Sequence, residues 1–444
     1  MKISRILHAG YIFQSGDTQI AFDPIFENPF SRNCFAFPNV EFDHRKIRDL
    51  KLDAVFISHY HDDHCSLESL NLLDRQTPIY IYCLFDELFA WIRQLGFKKV
   101  YSLKLNSSIV VGEFEITPRR ALDADVDSLF HIKAAGLDVL NVVDSWIDLE
   151  TLDLLKQTSW DLILWPFQTM REIEVLSPSR FSRVPEGIPP EWIEQLKELK
   201  PKNIVPSSCQ FIHESWSWYN QALFPISYIA FAEEVEEVLP ETKIIRLDPS
   251  LSICLSKNFW ERSASLDWIF PIGNQDVDYD YQMDFTPQPI SEIAKHFDKL
   301  SAPQEEKVFQ FCRKGLLERF RALEQIENSY FSTPRSWRLA VYDHLGQASY
   351  FSYHIDGSKI ALFPENIDMP QWTTEVSIAK IYGALEEGES LSSMYVRIND
   401  FVFESSIERE MSQVDVMEDP LVRCLFNGSF GTYQKTQLKH LLQP

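Results

Sequence analysis

Three histidines and two aspartates stand within six residues, 59–64 (HYHDDH), and this segment constrains the fold more than any other feature of the chain. The run before it, DAVFIS, is almost entirely apolar, which is typical of a strand buried on both faces. Imidazoles and carboxylates are unfavourable at the end of such a strand unless each has a polar partner. Bound cations would supply that partner, with His59 and His61 on one ion and Asp63 and His64 on a neighbouring one. The alternative is a solvated polar loop.

Strand and helix patterns alternate along residues 1–265. Segments such as TQIAFDP, PIYIYC and LDVLNVVD predict short strands. Between strands, residues 84–97 and 190–200 carry apolar side chains at spacings of three and four, which predicts helices. The alternation predicts a layered α/β domain with helices packed outside the sheets.

The pattern changes after residue 265. The acidic and aromatic stretch DVDYDYQMDFTPQP precedes the helical run EEKVFQFCRKGLLERFRALEQI, which predicts a linker and a helix pair over residues 266–330. Further on, ASYFSYHI and KIALF flank Asp356, Gly357 and Ser358, a turn sequence typical of a β-hairpin. The segment TEVSIAKIYGALEEG follows and predicts an amphipathic helix. We therefore expect a small α+β module over residues 331–444.

Composition limits the partners. The chain has 42 Lys and Arg against 65 Asp and Glu, a formal charge of -23, which disfavours nucleic acids and anionic membranes. No apolar stretch approaches the ~18 residues of a membrane-spanning helix, and the first residues lack a signal-peptide pattern. The 7 cysteines include no CxxC pair, which argues against a disulfide framework and a thiolate zinc site. We expect a cytoplasmic protein that acts on a small-molecule substrate.

The sequence HYHDDH matches the HxHxDH signature of the metallo-β-lactamase superfamily, which this chain resembles. The text HAGYIFQSGDTQIAFDP also resembles the first strands of that fold, an αββα sandwich. By this resemblance Asp23 would orient the metal-binding loop, and Asp144, at the end of LDVLNVVDS, would bridge two metals. A strand-end cap is the alternative role for Asp144. The resemblance further implies four ligands from the signature itself: His59, His61, Asp63 and His64.

Two histidines of the family pattern are missing. In RRALDADVDS, Asp123 aligns with the third histidine, and Asp125 and Asp127 are alternatives. The last histidine is absent from LKPKNIVPSSCQF. The residues that could occupy its place are Ser207, Ser208 and Cys209. His213 lies several residues too late to be equivalent, and His8, near the first strand, is interpreted as structural.

Residues 1–330 are most similar to the metallo-β-lactamase-type portion of the CMP-N-acetylneuraminate hydroxylase family. The similarity is carried by HYHDDH, LDVLNVVDS, LKPKNIVPSSCQF, YDYQMDF and FCRKGLLERF, and that family also lacks the last histidine. Its members carry a Rieske iron–sulfur domain, whereas this sequence has no CxH paired with CxxH. An oxidative reaction would therefore need a separate electron donor.

The altered ligand set favours redox chemistry. Two histidines with the carboxylate of Asp123, beside bridging Asp144, form a set typical of non-haem iron. We expect two metal ions, with iron favoured and manganese or zinc as alternatives, in an iron-dependent oxygenase (a hydroxylase) of a small polar metabolite. One alternative is a dinuclear metallohydrolase that cleaves an ester, lactone, thioester or phosphodiester through metal-bound hydroxide. Another is a non-catalytic binding protein with a decayed site.

Asp62 would assist proton transfer in either enzyme, or act only as a solvated or capping residue.

Overall fold

The computed structural model describes residues 1–178, 187–257, 259–282, 285–364, 369–400, 414–427 and 430–443. Up to residue 271 the strands are β1 (Lys2–Arg5), β2 (Tyr11–Ser15), β3 (Thr18–Phe22), β4 (Phe35–Ala36), β5 (Val40–Phe42), β6 (Ala54–Ile57), β7 (Ile79–Ile81), β8 (Val100–Ser102), β9 (Ile109–Val111), β10 (Phe114–Arg120), β11 (Ser128–Ala134), β12 (Leu137–Asn141), β13 (Leu162–Pro166), β14 (Asn203–Ser207), β15 (Phe211–Ile212), β16 (Lys243–Ile244), β17 (Ser252–Leu255), β18 (Trp260–Ser263) and β19 (Ile269–Pro271).

Over the same part of the chain the helices are α1 (His44–Arg48), α2 (Leu67–Asn71), α3 (Asp86–Gln94), α4 (Leu149–Leu155), α5 (Glu172–Leu176), α6 (Pro190–Leu199), α7 (Tyr219–Ala222) and α8 (Tyr228–Val238). The helices predicted from residues 84–97 and 190–200 are thus confirmed as α3 and α6.

Two mixed sheets pack face to face. The first has the strand order β18-β17-β1-β2-β3-β6-β7-β8, and the second the order β16-β14-β13-β12-β11-β10-β9. Aromatic side chains fill the space between them: the ring of Phe22 lies 5.3 Å from Phe56 and 5.0 Å from Phe130 on the opposite sheet. Apolar residues of α1, α2 and α3 cover the outer face of the first sheet, and those of α4, α6 and α8 cover the second. The αββα sandwich is therefore confirmed.

The ends of several strands meet at one edge of this sandwich. Strand β6 is buried along its whole length and lies parallel to β3 and β7, so the residues that follow β3 and β6 emerge together. The second sheet contributes the residues before β11 and after β12 and β14. The hydroxyl of Ser128 in β11 donates to the carbonyl of Ser58, 2.8 Å away, and joins the two sheets there. This edge carries residues 59–64, which we call the metal-binding loop.

A third sheet follows, with the order β22-β21-β20-β23-β24. Its strands are β20 (Arg335–Tyr342), β21 (Ala348–Asp356), β22 (Lys359–Leu362), β23 (Trp372–Ser377) and β24 (Arg397–Ile398). The helices in this part are α9 (Ile290–Ile293), α10 (Ala302–Gln310), α11 (Leu316–Ala322), α12 (Ile378–Glu386), α13 (Pro420–Phe426) and α14 (Thr432–Leu442).

The predicted hairpin is confirmed, because β21 and β22 pair antiparallel around Gly357, whose φ is 59°. Two local expectations need correction. The TEVS part of the predicted amphipathic helix is strand β23, which pairs parallel with β20, and the helix begins only at Ile378 after the cap Ser377. The expected helix pair runs without a break from α10 to α11 through a π-helical turn at Phe311–Gly315.

Helix α14 leaves the third sheet and returns to the first one. Its Leu438 is buried in the same apolar cluster as residues of α2 and α3. Just before the helix, the ring of Phe430 stacks on Phe85 at 4.0 Å and on Trp91 at 5.6 Å. The end of the chain therefore packs beside the metal-binding loop. In the described segments, no helix combines the length and apolar character that crossing a membrane requires.

Candidate metal centre

One buried carboxylate, Asp23, organises the metal-binding loop. Its side chain accepts hydrogen bonds from the backbone nitrogen and the hydroxyl of Ser58, both at 2.7 Å, and lies 3.1 Å from Nδ1 of His64. The Ser58 hydroxyl gives its proton to Asp23, so it accepts from Nδ1 of His59, 2.9 Å away. With both Nδ1 atoms engaged in these hydrogen bonds, Nε2 is the nitrogen that His59 and His64 each offer to a metal ion at the site.

His59, His61 and Asp127 form a first group of candidate ligands, with one atom from each within 4.8 Å of the others. Nε2 of His59 and Oδ1 of Asp127 are buried and have no hydrogen-bond partner among the described residues. Buried polar atoms without partners are unfavourable, and an ion between them would satisfy both. This group therefore fits a metal ion on the chemistry of its own donors.

His8, Asp63, His64 and Asp144 form a second group. Nε2 of His64 lies 3.2 Å from Nε2 of His8 and 3.0 Å from Oδ2 of Asp144. Nε2 of His8 lies 3.1 Å from Oδ2 of Asp63. Four ligand atoms placed tetrahedrally around one ion, at the usual metal–nitrogen distance, are about 3.3 Å apart. The spacing of these atoms fits a single ion.

Asp144 lies between the two groups. It follows β12, and its Oδ2 faces His64, while its buried Oδ1 lies 4.0 Å from Nε2 of His59. No hydrogen bond to another described residue satisfies this Oδ1. One oxygen therefore faces each group, which is the arrangement that a bridging carboxylate needs.

Charges around the groups set the pKa of each side chain. Burial lowers the pKa of His64, but the carboxylates of Asp144 and Asp63 outweigh it and raise this pKa well above its ordinary range. Burial and the neighbouring His64 hold the pKa of His59 well below its ordinary value. Burial opposes ionisation of Asp144, yet His64 and His59 hold its pKa well below the usual range. The centre is a negative site that favours a positive charge among the carboxylates.

The structure brings Asp127, and not Asp123, to His59 and His61. The backbone nitrogens of Val126 and Asp127 donate to the carbonyl of Asp123 at 3.2 and 2.8 Å, so the segment forms one tight turn. Asp123 and Asp125 are exposed on this turn, whereas Asp127 emerges at the start of β11, opposite the metal-binding loop. The geometry therefore favours Asp127, one of the alternatives, over Asp123 as the candidate ligand. The spacing of the three acids does not define the direction of the turn.

His8 contributes a histidine to the second group, although the last histidine of the family pattern is missing from the sequence. Ser207, Ser208 and Cys209 are buried at the end of β14, and Cys209 belongs to neither group. His8 instead reaches the second group from the turn after β1, with a positive φ of 50°. The buried guanidinium of Arg5 supports this turn by donating to the carbonyls of His8 and, at 2.8 Å, Pro206. The interpretation of His8 as only structural missed this contact.

The signal for His8 in the sequence was the text HAG after the first strand. A Cβ on Gly10 would lie 2.8 Å from the carbonyl oxygen of Asp23, so the turn must pass close to the residue that holds the loop. His213 lies apart from both groups. Its ring packs against Phe211 and Tyr219, and burial lowers its pKa to about 3.

Two cavities adjoin the groups. Asp127 and Asp144 line one of about 290 Å³, whose other lining residues include Leu122 and Trp146. Both of these apolar side chains are partly exposed, at 62% and 37%. The second cavity, of about 270 Å³, is lined on one side by residues 60–62 and on the other by the C-terminal part of the chain.

Asp62 lines the second cavity and belongs to neither group of candidate ligands. Burial and the neighbouring carboxylate of Asp63 raise the pKa of Asp62 to about 6. The side chain can therefore hold a proton near neutral pH beside His61, in a space large enough for a small molecule.

A family model described as a β-lactamase superfamily domain matches residues 2–207. No curated protein sequence matches the chain. Among solved structures, the metallo hydrolase Igni18 from Ignicoccus hospitalis is 17% identical, with a TM-score of 0.39, and the match covers 56% of this chain and 95% of that one.

Two further solved structures are similar at the same level. An isothiocyanate hydrolase from Delia radicum gut bacteria is 15% identical, with a TM-score of 0.41 and coverage of 58% of this chain and 100% of that one. CmlA, a diiron β-hydroxylase from Streptomyces venezuelae, is 14% identical, with a TM-score of 0.39 and coverage of 55% of this chain and 53% of that one.

Proposed function

We propose that this chain, whose residues 2–207 form a metallo-β-lactamase superfamily domain, is a dinuclear metalloenzyme that oxygenates a small molecule with iron. The observation that carries the proposal is the first ligand group, His59, His61 and Asp127. Two histidines and one carboxylate with open positions form the set typical of non-haem iron oxygenases, whereas structural zinc sites favour more nitrogen or sulfur ligands.

Seven side chains would hold the two ions. His59, His61 and Asp127 would bind the first, and His8, Asp63 and His64 the second, with Asp144 shared between them. When bound, the iron ions would supply the redox chemistry with dioxygen. Asp23 fixes Nδ1 as the hydrogen-bonded nitrogen, directly for His64 and through Ser58 for His59, so that a metal ion would bind at Nε2 of each ring and displace any proton there.

Other side chains of this domain would handle the substrate and its protons. Leu122 and Trp146 flank the cavity at Asp144 and would exclude water from one face of the substrate. Asp62, with its pKa of about 6, would carry a proton at the cavity beside His61. Electrons would come from a separate donor, because the sequence has no Rieske cysteine and histidine pattern.

One observation favours a second candidate, a dinuclear metallohydrolase. His8 gives the second group two histidines and two carboxylates. Four such ligands also suit zinc, which does not change its oxidation state. Bound zinc would supply Lewis-acid activation of an ester, lactone, thioester or phosphodiester. The same chain residues would act here, with Asp62 again as the proton carrier.

Metal analysis of protein purified without chelator tests the proposal, together with an optical spectrum in air. We expect near-stoichiometric iron and an absorption band in the spectrum. Asp127→Ala should lower iron affinity by at least about 100-fold, since loss of even a supporting residue costs 10–100-fold. The matched variant Asp123→Ala, in the same turn, should keep its iron.

Other outcomes select the alternatives. Zinc together with turnover of one of the hydrolase substrates would select the hydrolase. Absence of any tightly held metal would select a non-catalytic binding protein. Equal iron loss in Asp127→Ala and Asp123→Ala would overturn the first ligand group.

A further inference from the structure

We propose that helix α14 is part of the metal centre, because Gln434 and Gln437 are positioning residues that hold the metal-binding loop in its ligand-presenting conformation. This inference rests on the proposed function, since it concerns the same loop. It assigns a role to the end of the chain, which lies outside the matched superfamily domain of residues 2–207.

Gln434 closes the loop at its base. The side chain is 2% exposed, and its Nε2 donates to the carbonyl of Tyr60 at 2.7 Å and to that of Cys65 at 3.0 Å. These two carbonyls flank residues 61–64, which carry three of the candidate ligands. Within the loop, the nitrogen of Cys65 donates to the carbonyl of His61 at 2.8 Å. One side-chain amide therefore fixes both ends of the segment.

Gln437 fixes the helix that follows the loop. Its Oε1 accepts from the backbone nitrogen of Leu67 at 2.8 Å, and its Nε2 donates to the hydroxyl of Ser66 at 2.9 Å. Ser66 is the N-cap of α2, and its hydroxyl also accepts from the nitrogen of Ser69. The start of α2 is thereby tied to α14, one turn of helix away from Gln434.

The apolar contacts of α14 are separate from these hydrogen bonds. Leu438 is 6% exposed and packs in the cluster that contains α2 and α3. Phe430 stacks on Phe85 and Trp91. Docking of the helix is therefore supported by apolar burial, whereas the two glutamines satisfy backbone groups of the loop and its following helix. Variants can separate the two roles.

Zinc affinity measures the positioning role. Zn²⁺ is the probe, titrated into the full-length protein in competition with a chromophoric chelator. We expect Gln434→Ala and Gln437→Ala each to weaken zinc binding by roughly 10-fold or more, as loss of a residue that orients ligands does. Leu438→Ala is the matched packing control, which should lower the thermal unfolding midpoint but leave zinc affinity unchanged. Where Gln434→Ala does not fold, Gln434→Glu keeps the size and removes the Nε2 donors.

Amide hydrogen exchange of the metal-free protein gives a second readout that needs no metal. Residues 60–67 should exchange faster in Gln434→Ala than in the wild type, and at the wild-type rate in Lys439→Ala, which changes an exposed residue of the same helix. Unchanged exchange, or zinc affinity equal to the wild type in both glutamine variants, would overturn the positioning role. A wild-type protein that binds neither zinc nor iron would overturn the proposed function instead, and the exchange rates alone would then decide the role of α14.

Discussion

Buried histidines in this protein differ in what their ring nitrogens contact. His64 has carboxylates on both sides, and its pKa is raised well above the ordinary range despite burial. His213 is equally buried, but neither of its ring nitrogens has a side-chain hydrogen-bond partner among the described residues. Burial lowers its pKa to about 3. The first ring favours a positive charge, and the second is held neutral.

The neutral state of His213 predicts a pH dependence of stability. Its folded pKa of about 3 lies below the ordinary value of 6.5, so the unfolded chain binds a proton that the folded protein excludes. Stability is therefore lost as the pH falls from 6.5 towards 3, by about 1.4 kcal/mol per pH unit. His213→Phe should remove about 2 kcal/mol of the difference in unfolding free energy between pH 7 and pH 5. Urea unfolding at the two pH values measures it.

His440→Phe is the control, because that side chain is exposed on α14. It should keep the wild-type pH dependence. An unchanged pH dependence in His213→Phe would show that the buried ring does not carry the effect.

The proximity of those candidate ligands that are contiguous in sequence could be predicted. His59, His61, Asp63 and His64 are close in space because they are close in the chain, after a strand whose burial is evident from its composition. His8 could not be assigned, since its approach depends on how β1 and β6 lie in the first sheet. The spacing of residues along the sequence indicates which side chains are close within one segment, but not which segments lie side by side in a sheet.

Among the helices, strands and turns, those that depend on nearby residues were predicted best from the sequence. The hairpin around Gly357 needs only a turn with a positive φ, which the turn sequence provides. The TEVS part of β23 has a helical pattern in the sequence, but it forms a strand because it pairs with β20. That partner lies more than thirty residues earlier in the chain, so the local pattern does not report it. Helix α14 gave no sign in the sequence that it would dock on α2, because that contact joins residues about 370 positions apart.

The N-terminal cap of α13 is a buried carboxylate that supports the third sheet as well. Asp419 is fully buried and accepts from the backbone nitrogens of Leu421 at 2.9 Å and Val422 at 3.0 Å. It also accepts from Nε1 of Trp372 at 2.7 Å and from the hydroxyl of Thr374, both in β23. One side chain therefore joins a helix end to a central strand.

Asp419→Ala should lower the free energy of unfolding by about 3 kcal/mol, because the cap is lost and buried donors are left without an acceptor. Asp415→Ala is the matched control, since Asp415 is exposed and accepts from the backbone nitrogen of Met417 at 2.9 Å. That control should cost about 1 kcal/mol or less. Denaturant unfolding measures both, and equal losses would contradict a special role for the buried cap.

At the scale of the whole molecule, three carboxylates come together where the two sheets meet. The chain carries a formal charge of -23, and Asp63, Asp127 and Asp144 lie in the two adjoining groups. Cations bound there would offset repulsion between these carboxylates and join residues from both sheets. Stability of the entire domain should therefore depend on metal.

Removal of metal by a chelator should lower the thermal unfolding midpoint, and restored metal should raise it again. A ligand that binds only the folded state adds about 2.7 kcal/mol when its free concentration is 100 times its dissociation constant. Asp144→Asn should shrink this increment, since Asp144 faces both groups. It should also destabilise the metal-free form, because His64 and His59 lose the carboxylate whose pKa they hold low. Asp153→Asn, on the exposed side of α4, removes the same charge outside the centre and should keep the full increment. Scanning calorimetry with and without chelator measures all three proteins. Identical midpoints for the wild type in the two conditions would mean that no ion joins the sheets.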